Sequence, residues 1–84
     1  MKARVTVFPR PEVLDPQGKA IKGALERLGF TAVSDLRAGK SFDLELTTAD
    51  RGEAERQLKE MCEKLLANTL VERYEIELPA EGWR

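Results

Sequence analysis

At 84 residues the chain has room for one domain, and folding at this size hides only about 60% of the unfolded surface, so the core is thin. Hydrophobic residues make up 42% and charged residues 35% of it, a globular mix rather than a disordered one. Fourteen basic against fifteen acidic residues leave a net charge of -1, without the basic surplus that phosphate-backbone binding needs, so no nucleic-acid partner is expected. The absence of histidine removes the commonest general base and most zinc sites. A single cysteine, Cys62, can form neither an intrachain disulfide nor a metal cage. The apolar run Val5–Phe8 is too short for a signal core or a membrane span, and a soluble cytoplasmic protein with no membrane partner is expected.

Taken in chain order, Arg4–Phe8 reads as a strand because β-branched residues cluster there, and Pro9-Arg10-Pro11 ends it. Asp15-Pro16 opens a helix: Asp15 can cap orphan N–H groups, and Pro16 sits where no N–H is needed. Ala20, Ile21, Ala24, Leu25 and Leu28 share one face of it, and Gly29 supplies the left-handed stop with Phe30 folding back. A second strand is expected over Ala32–Arg37, with a possible bulge, followed by a hairpin turn at Gly39-Lys40. Phe42, Leu44 and Leu46 then alternate with Ser41, Asp43 and Glu45, the pattern of a half-buried strand. The second helix is capped by Thr48 or Asp50. Its stripe runs through Ala54, Leu58, Met61 and Leu65, widened by Cys62 and Leu66. Glu55–Lys59 and Glu60–Lys64 sit at ion-pair spacing on its outer face, and Asn68 is the expected left-handed terminator. Val71–Leu78 is the last strand.

The expected fold is therefore α+β, a β-α-β-β-α-β ferredoxin-like two-layer sandwich with both helices on one face of an antiparallel sheet. Residues 1–78 form the domain and 79–84 a tail containing Trp83. The second sheet face is either wetted or covered by something else.

No enzymatic constellation stands up. Gly39-Lys40-Ser41 lacks the upstream glycine and the following helix that a phosphate loop requires, so it reads as a turn. Cys62 has neither a base nor a helix N-terminus beside it and reads as a buried thiol. Arg10 stands where acylphosphatase-like enzymes hold an anion, but Pro9 and Pro11 remove the backbone donors such a cradle needs. Asp43 and Glu45 would repel the phosphates of RNA. The residues alone describe an interaction module.

Several blocks carry a resemblance. Val13-Leu14-Asp15-Pro16-Gln17-Gly18, Leu28-Gly29-Phe30, Leu36-Arg37-Ala38-Gly39-Lys40 and Met61–Asn68, in this order and spacing, closely resemble the PurS family, the small subunit of phosphoribosylformylglycinamidine synthase. Thr69 departs from it, where proline is as readily expected. The resemblance implies a subunit without catalytic residues that binds a glutaminase (PurQ) and an ATP-dependent synthetase (PurL), aiding assembly or ammonia transfer in purine biosynthesis. It implies no cofactor on this chain, with ATP and magnesium on PurL, and a homodimer or dimer of dimers. Unpaired strand edges and an uncovered sheet face point to self-association as well. The alternatives are an ACT-like regulatory domain binding a small metabolite and, least favoured, a small standalone enzyme. Candidate partner-facing residues are Arg10, Leu14, Asp15 and Gln17 in the proline-braced loop, and Arg37 and Lys40 in the second loop.

Overall fold

In the computed structural model, which describes residues 1–79, three strands and two helices follow the order β-α-β-α-β. Strand β1 spans Lys2–Pro9, helix α1 Pro16–Arg27, strand β2 Lys40–Glu45, helix α2 Arg51–Met61 and strand β3 Glu72–Glu77. The sheet is antiparallel in the order β2-β1-β3. Val5 lies opposite Phe42 on one side and Ile76 on the other, so the apolar residues of all three strands share a face. Ala3, Val5 and Val7 are buried there beneath Ala54, Leu58 and Cys62. The 79–84 tail lies, apart from Pro79, outside the described residues.

The capping chemistry is local and forms as expected. Asp15 accepts from the Gly18 N–H at 3.0 Å and Asp50 from the Glu53 N–H at 3.3 Å; Thr48 instead accepts from Asp50. Gly29 takes φ +98°, which lets its own N–H reach Glu26 and the Phe30 N–H reach Leu25, closing α1 with a paired C-terminal motif.

The second expected strand does not form. The segment 30–39 carries no regular structure, because a strand needs a neighbour and nothing within the chain lies beside the outer edge of β2. The hairpin turn at Gly39-Lys40 disappears with it. Gly39 has a different job: a Cβ there would stand 2.5 Å from the Val7 carbonyl oxygen, so the chain can approach β1 this closely only without a side chain.

Nor do both helices cover the sheet. α2 does, but α1 projects away and packs on neither the sheet nor α2, and Gly18 is its one buried residue. Leu28 is 72% exposed and Ile21 and Phe30 are also open. Over β2, Phe42 and Leu44 are only half-buried where a second helix would lie. The radius of gyration is 16.0 Å, against about 12 Å for a compact chain of this length.

At the end of α2 the helix widens into a single π turn, Cys62–Leu66, with the Ala67 N–H donating to the Cys62 carbonyl at 3.1 Å. The extra residue shifts the apolar stripe: after Leu58 and Cys62 the next buried side chain is Ala67, and Leu65 is 83% exposed. Leu65 therefore leaves the stripe to which an ideal helical period assigns it. Asn68 is not left-handed either, since glycine alone takes positive φ among the described residues; its carbonyl instead accepts from Val71 and Glu72. On the outer face of α2, Lys64 pairs with Glu60 at 2.7 Å, whereas Glu55 faces Arg51 at 4.0 Å rather than Lys59. Such exposed pairs add little stability.

The opposite sheet face is a charge ladder. Lys2, Arg4 and Thr6 of β1 stand between Glu45, Asp43 and Ser41 of β2, with Glu77 and Glu75 of β3 on the far side of Arg4 and Thr6. Arg4 bonds Asp43 at 2.8 Å, and Arg73 lies 4.8 Å over the Phe8 ring. These side chains satisfy one another and water.

Tyr74, the one tyrosine of the chain, donates its hydroxyl to Glu63 at 2.6 Å. That bond, with the neighbouring negative charge, pushes its pKa up to about 12. Because the folded value lies above the unfolded one of about 10, the contribution to stability is complete below the latter and is lost as pH rises through the former. Tyrosinate absorbance should therefore titrate near the raised value, and Glu63→Gln should bring it back toward the ordinary one. An unaltered midpoint in the variant would place the hydroxyl elsewhere.

Candidate partner interface

The proline-braced loop leaves β1 with few backbone donors, so side chains from elsewhere must hold it. The Arg10 N–H bonds the Val71 carbonyl, and its guanidinium donates twice to the Thr69 carbonyl, at 3.2 and 2.7 Å. Arg37 donates to the Val13 carbonyl at 2.9 Å and to the Pro11 carbonyl. Asp15 is the one buried charged residue among those described, 8% exposed, and its second oxygen accepts from the Ala38 N–H at 2.7 Å. Those two backbone bonds, Ala38 first and Gly18 second, hold its carboxyl below the usual carboxylate range.

The two segments singled out in the sequence thus meet at one end of the molecule, joined by a third, the turn Asn68–Val71. Thr69, the departure from the family pattern, is where Arg10 anchors that turn. The candidates divide by role. Asp15, Arg10 and Arg37 spend their polar groups inside this end. Leu14, 69% exposed, and Gln17 face outward. Lys40 stands 3.9 Å from Glu72, a loose pairing that leaves it available.

Leu14 borders two shallow hollows. One, of about 360 Å³, is shared with Pro9, Gln17, Lys40 and Val71. The other, of about 270 Å³, is shared with Lys19, Asp35, Leu36 and Arg37. Leu70, 85% exposed, adds a second apolar side chain on the third segment. It escaped the sequence reading, although an apolar residue inside a turn is the same signal that Leu14 gives. A frame that presents apolar side chains outward suits protein binding better than a reaction.

Nothing here arranges a nucleophile beside a base. Cys62 is fully buried in the core, and burial, with Glu63 nearby, pushes its thiol pKa up, away from reactivity. No group of three potential metal ligands occurs among the described residues. No helix among them is long and apolar enough to cross a membrane.

Comparison with known proteins identifies what carries this surface. The family model "PurS: Phosphoribosylformylglycinamidine (FGAM) synthase" matches residues 2–80. The chain belongs to the PurS family. It is a PurS-type subunit of FGAM synthase, a ligase complex of purine biosynthesis. The phosphoribosylformylglycinamidine synthase subunit PurS of Mycobacterium leprae is 51% identical over 76 residues, covering 89% of this chain and 91% of that one. The solved PurS of Methanocaldococcus jannaschii superposes with a TM-score of 0.81 at 36% identity, covering 90% and 92% of the two chains. A chain in the PurLQS structure of Thermotoga maritima superposes with a TM-score of 0.83 at 37% identity, covering 90% of this chain and 93% of that one. PurS family members thus share this fold across bacteria and archaea.

Proposed function

We propose that this chain is the non-catalytic small subunit of its synthase complex, binding the glutaminase PurQ and the synthetase PurL and assisting their assembly and ammonia transfer. The observation that carries the reading is the likeness to a chain of the Thermotoga maritima PurLQS structure, joined to a rigid apolar-tipped surface with no reactive group. The reaction served is the ATP- and glutamine-dependent conversion of formylglycinamide ribonucleotide to formylglycinamidine ribonucleotide, with ATP and magnesium held by PurL and no cofactor on this chain. Ammonia attacks only while uncharged, and in neutral water most of it becomes ammonium. A subunit that seals the junction of two active sites matters for that reason. The complex works in the cytoplasm.

The partner-facing residues on this reading are Leu14, Gln17 and Lys40, with Arg10, Asp15 and Arg37 as their frame. Truncating an anchored interface side chain costs more than about 1 kcal/mol, a solvated one almost nothing. In a pull-down with PurL and PurQ, Leu14→Ala should weaken capture at least about fivefold with an unchanged melting temperature, and Lys59→Ala with Lys64→Ala should change neither. If the helix variant weakens capture as much as Leu14→Ala, the interface lies on the other side.

The third partner is a copy of the chain itself. A helix of 12 residues with two internal glycines is marginal in water without tertiary cover, and α1 has none of its own. The same chain leaves Phe42, Leu44 and the outer edge of β2 uncovered. Reciprocal exchange of residues 16–37 between two copies supplies both needs at once. The helix covers Phe42 and Leu44 of the other chain, and residues 32–37 pair with its β2. Each sheet then has the four strands and two helices of a ferredoxin-like sandwich, the domain of residues 1–78 being completed by its copy.

A further inference from the structure

The arm formed by residues 16–37 packs its helix on neither the sheet nor α2, yet its root is held by several side-chain bonds. Where the chain enters the arm, Asp15 holds the Gly18 N–H; where it leaves, the same carboxylate holds the Ala38 N–H. Arg37, at the exit, reaches back to the carbonyls of Val13 and Pro11 at the entrance. Gly18 is wedged between them: a Cβ would stand 2.4 Å from the Asp15 carboxylate and 2.6 Å from the Leu36 carbonyl oxygen. A loose hinge would not spend a buried carboxylate, a two-carbonyl guanidinium bridge and a side-chain-free contact on one junction.

We infer that Asp15 and Arg37 form a clamp that sets the direction in which the arm leaves the body and keeps it off its own sheet. The inference rests on the exchange reading above and adds the reason exchange wins. The arm and the uncovered strip over β2 belong to the same chain, so closure within one copy satisfies the same apolar surfaces without the entropic cost of association. What separates the two outcomes is the junction. With entrance and exit bound side by side, the arm cannot swing back without breaking the Ala38 bond to Asp15 and both Arg37 bonds, which leaves the Asp15 carboxylate with Gly18 alone. Asp15 and Arg37 are positioning residues for self-assembly, distinct from Leu14 and its neighbours, which touch other proteins.

The test uses the full chain with spin labels at Arg27→Cys and Glu55→Cys in a Cys62→Ala background, diluted into excess unlabelled chain, so that pulsed spin-resonance distances report the arm against its own body. Sedimentation velocity on the unlabelled protein gives the dimer dissociation constant. The expected results are one narrow, long distance in the parent, and a broadened distribution shifted to shorter values in Asp15→Ala and Arg37→Ala. The dissociation constant in those variants should rise about tenfold or more. Asp15→Asn, which keeps one acceptor, and Arg37→Lys, which cannot bridge two carbonyls in a plane, should fall between. They carry the test if the alanine variants lose their sheet signal in circular dichroism. Unchanged distances in all four variants overturn the clamp. A parent that is monomeric with a narrow distance widened by Asp15→Ala overturns the exchange reading and leaves the clamp standing.

Discussion

Ile21→Asp together with Leu25→Asp should convert the chain from dimer to monomer at micromolar concentration. Both side chains lie on the apolar face of α1, where Ile21 is exposed and Leu25 half-buried, and that face packs on neither the sheet nor α2. Burying such a side chain is worth about 2 kcal/mol. Four of them leave the reciprocal contact in one dimer, so the loss is on the order of 8 kcal/mol, roughly six powers of ten in the dissociation constant. Light scattering reads the mass directly. Far-UV dichroism should show helix lost with it, because α1 without cover is too short to persist. Lys22→Ala, which breaks only the exposed 2.6 Å pair with Glu26, should leave the dimer intact. A doubly substituted chain that still weighs as a dimer would remove the arm from the interface.

The second large effect separates two leucines that an ideal helix would treat alike. Leu58 is fully buried on α2 in the cluster with Val5 and Cys62, so Leu58→Ala should cost about 3 kcal/mol. For a domain of this size that lowers the melting temperature by roughly 15 °C. Leu65, beyond the start of the π turn, points to solvent, and Leu65→Ala should change the midpoint by less than about 3 °C. Both scans belong at one protein concentration, since a dimer's midpoint moves with it. Equal losses would mean that the stripe continues unbroken and the π turn is absent.

What could be read from the residues alone divides by the range over which each signal acts. The three observed strands, the caps Asp15 and Asp50, and the glycine stop at Gly29 depend on neighbours a few positions away, and all three kinds of signal are written locally. The strand expected over Ala32–Arg37 carries similar local signals but needs an edge to pair with, and the arm's direction takes it away from the edge its own chain offers. The π turn has no residue signature, so an ideal helical period continues the stripe one leucine too far. The candidate interface was legible as two separate pieces: prolines and an apolar residue in one loop, cations in the other. Their convergence was not, because it is made by Arg37, Asp15 and Arg10 bonding to backbone atoms far along the chain. Local motifs cannot announce such long-range bonds. Two of the family blocks, Val13–Gly18 and Leu36–Lys40, hold the anchors Asp15 and Arg37.

The unpacked arm also bears on how much of this subunit a cell keeps. A newly made chain that has found no copy displays α1 and the irregular segment 30–39 with little to protect either, and proteases cut where backbone opens at almost no free-energy cost. On the exchange reading pairing hides both at once, so a chain diluted below its dimer dissociation constant should be cut there sooner than a paired one, and a cell keeps the paired chain longer.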